Sequence, residues 1–381
     1  MPSKKRFIFK VYSRTGEFIH STEEWDFGKI VREVNGSMAV DIKTDILTKD
    51  IGNSIITPMN QIEIVIADEF TGSEGLVYFS GYIPTRTMPI LANDEKIVIG
   101  ALGHASRLWE MLYRDGTTIT MDFTGGSAAK ASEIVSDILD KVQALDSDWP
   151  VDEATGTVVD STDDISDKFK SQTAGAAMTR CLFLADTTAI WHWLVKGDNV
   201  FHFKKASTTA DHKFTYKHDV TELPDFKDDL LEAKNEIFVK YNAGANVKRV
   251  ADEASITAYG NRSLVVTENE VTTAATATKI GEAILASLLP PLETIKIKVN
   301  STYDQGIESV YPGDTCKVMN LPTDVADTTN DNMFIVRTTY IKDHVILELA
   351  LRHPRIDSQI EELRGRIDRI DTDDQTATIY A

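Results

Sequence analysis

A chain of 381 residues is too long for one small core, so two to four domains of ordinary size are expected. Its 42% hydrophobic and 26% charged residues exclude wholesale disorder and a collagen-like fibre, and no apolar run approaches the ~18 residues that span a bilayer. A formal net charge of -19 argues against a protein that grips nucleic acid through clustered Lys and Arg, yet suits a surface that repels DNA and lets it pass.

The N-terminus, "MPSKKRFIFKVYSRTG", is basic, but its apolar residues alternate with polar ones and no small-residue cleavage site follows. It does not read as a signal peptide, and synthesis and folding in the cytoplasm are expected. Residues 1–116 read as all-β, with strands expected at Arg6 to Tyr12, Ser37 to Ile42, Gln61 to Ala67, Leu76 to Ile83 and Lys96 to Ile99. The pair Asn35-Gly36 suits the positive backbone angles of a tight turn, and Met38, Val40 and Ile42 alternate after it. A barrel or sandwich follows from such a pattern.

Residues 117–221 mix periods and form a second unit. "SAAKASEIVSDILDKVQAL" places Ile134, Ile138, Leu139, Val142 and Leu145 at helical spacing, with Ser127 as the expected N-cap. "TAGAAMTRCLFLAD" is a second helix, feeding "AIWHWLVKGDNVFHFKKA", where two alternating runs flank a Gly-Asp-Asn turn. The unit reads as helices packed on a hairpin.

Strand character returns over residues 222–243 and 295–352, with strands at Glu236 to Tyr241, Ile295 to Val299, Thr315 to Met319, Phe334 to Thr339 and Val345 to Leu351. Residues 244–294 interrupt it with the helix "TTAATATKIGEAILASLL", which stops at Pro290 and Pro291 because proline cannot continue it. The second β region is therefore discontinuous, with a small α/β unit inserted.

Motifs for catalysis or metal binding are absent: the sequence holds no GxxxxGK[ST], GxGxxG, HExxH, GxSxG or CxxC. No catalytic residue, cofactor or metal site is assigned. Cys181 and Cys316 lie 135 positions apart in separate apolar stretches and read as two buried, reduced thiols. His192 and His202, framed as "IWHWL" and "VFHFK", are candidates for a two-histidine metal site only if Asp198 supplies a third ligand from the turn. The simpler reading points both histidines to a polar face while Trp191, Trp193, Phe201 and Phe203 pack inside. The pairs Asp163-Asp164, Asp228-Asp229 and Asp373-Asp374 sit in turn-like polar surroundings and read as solvated charge rather than acid/base groups.

Residues 353–371 carry "RIDSQIEELRGRIDRI", where Ile356, Ile360, Leu363, Ile367 and Ile370 are spaced 4, 3, 4, 3. That is the heptad rule, with d at 356, 363 and 370 and a at 360 and 367, and isoleucine at a with mixed isoleucine and leucine at d shifts preference from dimers towards three or more strands. In a parallel coil the g position Arg366 faces Asp371 at e of the neighbouring chain, while Gly365 falls at the outermost f position. Two heptads reach only ~22 Å, and isolated helices of ~15 residues are marginal in water. The β-rich body must therefore help to hold three chains together. The last segment, residues 372–381, reads as a tail.

The order of elements resembles the baseplate hub, or tail-hub, proteins of tailed phages. The matching pieces run from "REVNGSMAVDI", "NQIEIVIADEF", "GLVYFSGYI" and "EKIVIGALGHASRLWE" through "WHWLVKGDNVFHFKK", "NEIFVKY", "EASITAYGNRS" and the Ala-rich helix to "VYPGDTCKVMN" and "NMFIVRTTYIKDHVILELAL". The resemblance implies a mainly β chain with α+β insertions, two β-barrel-like domains, a helix-containing domain and a short C-terminal coiled coil. It further implies a non-enzymatic homotrimer that joins a sixfold tail tube to a threefold tip and lines a channel for DNA. Implied partners are the tail tube or distal tail protein, the tape measure protein, and a separate tip, spike or fibre protein; DNA is met only in transit, and no stable membrane insertion is implied. Because the chain stops soon after the coil, host-wall hydrolysis is not expected of it. A competing expectation, a trimeric tailspike that binds or depolymerises polysaccharide, requires a repeat-rich β-helix or a lectin-like aromatic cluster.

Overall fold

The computed structural model describes residues 5–47, 55–68, 75–87, 96–185, 190–222, 225–229, 233–269, 271–288, 292–321 and 332–350. About 45% of residues are strand and 21% helix, so the chain is mainly β with helical insertions. The first seven strands are β1 (Lys5–Tyr12), β2 (Phe18–Thr22), β3 (Asp26–Glu33), β4 (Ala39–Leu47), β5 (Gln61–Asp68), β6 (Leu76–Thr87) and β7 (Lys96–Gly103). A mixed region follows with α1 (Arg107–Glu110), β8 (Thr120–Asp122), β9 (Ala129–Lys130), α2 (Ala131–Leu145), β10 (Asp164–Ile165), β11 (Lys168–Lys170) and α3 (Ala174–Ala185). The hairpin β12 (Trp191–Val195) and β13 (Phe201–Lys205) leads to β14 (His212–Thr215) and β15 (Asp225–Asp229). Next come β16 (Glu236–Tyr241), β17 (Asn246–Ala251), α4 (Glu253–Tyr259), β18 (Ser263–Glu268) and α5 (Ala274–Leu288), and last β19 (Leu292–Asn300), β20 (Thr315–Met319), β21 (Met333–Ile341) and β22 (His344–Ala350).

Thirteen strands form one sheet, in the order β15-β19-β22-β21-β3-β4-β7-β6-β5-β1-β2, with β20 joining β14 to β21. The decisive ladder is β21 with β3, antiparallel from Arg337 opposite Glu33 to Tyr340 opposite Ile30. It fuses the two β regions, which the sequence presents as separate, into a continuous surface. Among the described residues no closed barrel is formed. The sheet nevertheless curls: Phe9 of β1 meets Trp25 and Phe27 from the other end of the N-terminal path, with ring centroids 6.1 and 6.3 Å apart. Ladders between named strands are antiparallel except β14 with β20 and β16 with β18, unlike the stacked parallel coils of a β-helix.

Two cores result. One lies in the curled sheet and draws on both halves of the chain, from Phe9, Ile30 and Phe79 to Ile297, Tyr340 and Leu347. The other gathers α2, α3, α5, the β12–β13 hairpin and the three-stranded sheet β17-β16-β18. Cys316 belongs to the first and Cys181 to the second; both are buried and unbridged.

Local chemistry explains the helix limits. At the start of α2, Glu133 reaches back to accept the Lys130 backbone N–H at 2.9 Å, and the Ala131 N–H donates to Ser161 Oγ at 2.9 Å. Lys130 is therefore the N-cap, and the expected cap, Ser127, lies in a separate 3-10 turn. Ile134, Ile138, Leu139 and Val142 are buried as their spacing predicts, whereas Leu145 is exposed at the helix end. In α5, Gly281 permits close approach to the sheet: a Cβ there would lie 2.7 Å from Val250 Cγ2 and 3.2 Å from Val239 Cγ2. The heptad residues Ile356, Ile360, Leu363, Arg366, Ile367, Ile370 and Asp371 lie outside the described residues.

Candidate functional site: the seam between the two cores

The hairpin β12–β13 is the wedge between the cores. One face presents Trp191, Trp193, Phe201 and Phe203, all buried, with Trp193 stacked on Phe201 and Trp191 on Phe203 at 6.1 and 5.1 Å. The strand register, Leu194 opposite His202 and His192 opposite Lys204, puts both histidines on the other face. That face is not a polar surface as the alternation suggested. It packs on the large sheet, and His192 is wholly buried, edge-on to Phe334 at 5.2 Å. Strand alternation identifies two faces but cannot say that both are covered.

Three turns make this approach possible. Asn35, at φ 54°, donates its backbone N–H to Trp193 O at 2.9 Å and accepts the Trp193 N–H on Oδ1 at 2.8 Å. Gly197 in the hairpin turn lies so near β6 that a Cβ would stand 2.9 Å from the Tyr78 carbonyl carbon. Gly313, at φ 92°, lies directly over the His192 imidazole.

Cations and aromatic rings line the seam. Arg32 projects inward from β3 and is 2% exposed, which for a guanidinium requires compensation. Its Cζ lies 3.4 Å from the Tyr78 ring centroid and 4.2 Å from that of Tyr311, and Nη2 donates to Tyr78 O at 2.5 Å. Two π faces thus replace water around the charge. Lys196 sits 5.2 Å from the same Tyr311 ring, its ammonium pushed toward the neutral form by burial and by Lys204. Burial, with help from Lys196 and Lys204, lowers His202 to about 4. Asp314 answers these charges: Lys204 Nζ is 3.6 Å away and His212 Nε2 3.2 Å. Although burial pushes its pKa up, the His212 hydrogen bond and the Lys204 charge hold the carboxyl below its ordinary value.

A second contact joins the N-terminal strands to α2. Asp146, at the helix C-cap, accepts from Arg107 Nη2 at 2.8 Å and from Arg14 Nη2 at 3.2 Å. Behind it, Tyr82, His104 and Trp149 help to line a cavity of about 20 Å³, enough for roughly one water and far below an organic ligand. Burial drives His104 down to about 3, so the ring is neutral there.

The site is mechanical in character: rings clamp cations, and turns admit a hairpin. Asp198 accepts the Val200 backbone N–H at 3.1 Å, closing its own turn. Among the described residues no group of three or more His, Cys, Asp or Glu is placed to hold a metal ion. Asp163 pairs with Lys279 at 2.7 Å beside the exposed Asp164; Asp228 and Asp229 fall on β15, and Asp373-Asp374 lies outside the described residues. Sequence reasoning missed Arg32, Tyr78 and Tyr311. The visible signal was an arginine at an inward position of a strand, two residues after Ile30.

Comparison with solved structures places this architecture. The 43 kDa tail protein of prophage MuSo2 from Shewanella oneidensis aligns with a TM-score of 0.58 over 91% of this chain and 97% of its own, at 14% identity. A tail protein from Neisseria meningitidis aligns at 0.58 over 91% and 96%, also at 14% identity. The chain has the fold of phage tail proteins. A third tail-protein fold, from a Listeria monocytogenes prophage, matches at 0.54 over 95% of this chain and 99% of its own, at 12% identity. No family model and no curated protein matches the sequence. The alignments span nearly the whole chain, so the likeness is to its fold as a whole.

Proposed function

We propose that this protein is the structural hub of a phage tail tip or baseplate, a non-enzymatic homotrimer joining a sixfold tail tube to a threefold tip. The observation that carries this reading is the end-to-end alignment with three prophage or tail proteins, covering 91–95% of this chain and 96–99% of theirs. In this reading the two β regions act as barrel-like halves, so that three chains present six similar units to the tube. The curl that brings Phe9 onto Trp25 and Phe27 supports it for the first half. The heptad stripe from Ile356 to Ile370, with Arg366 facing Asp371 of the next chain, supplies the threefold contact. A net charge of -19 suits a lumen that does not retard phosphate backbones. The protein then resides in the virion tail beside the tube or distal tail protein, the tape measure protein and a separate tip, spike or fibre.

The test is the mass of purified protein by light scattering, beside a version truncated after His353. Full-length protein is expected near three times 42.3 kDa. A truncated trimer would put the main contact in the β body, and a truncated monomer would put it in the coil. Full-length monomers at tens of micromolar, with no ring in negative-stain images, would overturn the reading.

A further inference from the structure

Among the described residues, the three-stranded sheet β17-β16-β18 is covered on one side only. Val239 and Val250 face α5, where Gly281 lets the helix settle onto them. Because side chains opposite one another in a ladder share a face, the register fixes the other side. Val265, Phe238 and Arg249 form one row across it, and Thr267, Lys240 and Val247 the next. Val247 and Val265 are 56% and 53% exposed, the half-buried Phe238 lies between the two strands that carry them, and Lys240 is exposed beside them. Arg249 borders the patch, held by Glu236 at 2.6 Å and Glu253 at 2.9 Å.

We propose that this open face is where a second copy of the chain docks. The inference rests on the trimer reading above and says where neighbouring subunits meet. Charge is the argument for the occupant. Residues 234–291 carry six Lys and Arg against six Asp and Glu, so this unit is neutral and the whole net charge of -19 resides on the rest of the chain. Subunits in a threefold ring meet head to tail, through two different patches. A neutral, apolar-centred face with Lys240 beside it therefore meets a surface drawn from the acidic remainder. Attraction between the exposed Lys240 and that acidic surface orients the encounter, and the valines and Phe238 supply the desolvated centre. Strand addition at the β17 edge is disfavoured by Lys248 and Arg249, so the contact uses the face.

The experiment compares the full-length protein with Val247→Asp/Val265→Asp, with Lys240→Glu, and with a control, Val159→Asp, at an exposed valine outside this sheet. Light scattering over a concentration series reads the assembly, and near-ultraviolet circular dichroism reads the fold. The double variant is expected to keep the native spectrum and to need at least 100-fold more protein for half assembly. Lys240→Glu is expected to weaken assembly about tenfold, with the loss growing at low salt, and the control to match the parent. A double variant that stays trimeric at the parent's concentrations overturns this surface while leaving the trimer reading intact. A parent chain that is monomeric throughout overturns both.

Discussion

Gly313 carries a positive φ of 92° against the buried imidazole of His192, and a Cβ at that position would stand 2.6 Å from the ring's Cδ2. The ring cannot retreat, because Phe334 backs it at 5.2 Å. Gly313→Ala therefore combines backbone strain with overpacking and is expected to cost about 2–4 kcal/mol in urea unfolding. Adding His192→Ala should restore only the steric part. A second residue-scale effect concerns pH. His104 and His202 are held neutral when folded, at about 3 and about 4, while an unfolded histidine titrates at 6.5. Protons then bind the unfolded chain first, so stability is full above 6.5 and falls as pH drops toward those folded values. The nearly fully buried His104 accounts for about 2 kcal/mol of loss by pH 5, and the more accessible His202 for less. The carboxylate Asp314, held low, adds a loss in the same direction below its ordinary 3.8. Urea midpoints at pH 7.5 and pH 5 check this, and His104→Asn is expected to flatten the slope between them.

At the scale of elements, packing overrules propensity. In an exposed helix, glycine to alanine gains about 1 kcal/mol. In α5 the same change at Gly281 drives a methyl into Val250 and Val239 of the sheet, for which overpacking costs of about 1–3 kcal/mol are usual. Gly281→Ala is thus expected to destabilise the protein, and Val250→Ala to rescue it in a double-mutant cycle; a stabilised single variant would contradict the close approach. Much at this scale was legible in the residues. Strands β16 and β20 fall where alternation put them, and α2, α3 and α5 follow their apolar stripes to within a few residues. Strands β2 and β3 were not legible: "FIHST" is a short edge strand, and a register shift between Phe27 and Ile30 breaks the alternation of "DFGKIVRE". The cap of α2 was misplaced because a Glu133 carboxylate, rather than a preceding serine, satisfies the first turn.

For the whole molecule, trimer mass before and after removal of the residues beyond His353 remains the central expectation. Composition and charge alone sufficed to show a long, acidic chain, and the heptad stripe to raise the expectation of a trimer, because each is a property of the chain that folding does not alter. Strand and helix types were likewise local, set by period and by turn chemistry at Asn35-Gly36. Which strands pair was not. Alternation in "MFIVRTTYI" is satisfied by any apolar partner, and only the tertiary structure selects β3, about three hundred residues earlier, fusing two β regions into one sheet. The burial of His192, the cradle of rings around Arg32 and the open face bearing Val247 and Val265 were decided in the same way. Each depends on what packs across from a residue, and that partner lies far along the chain.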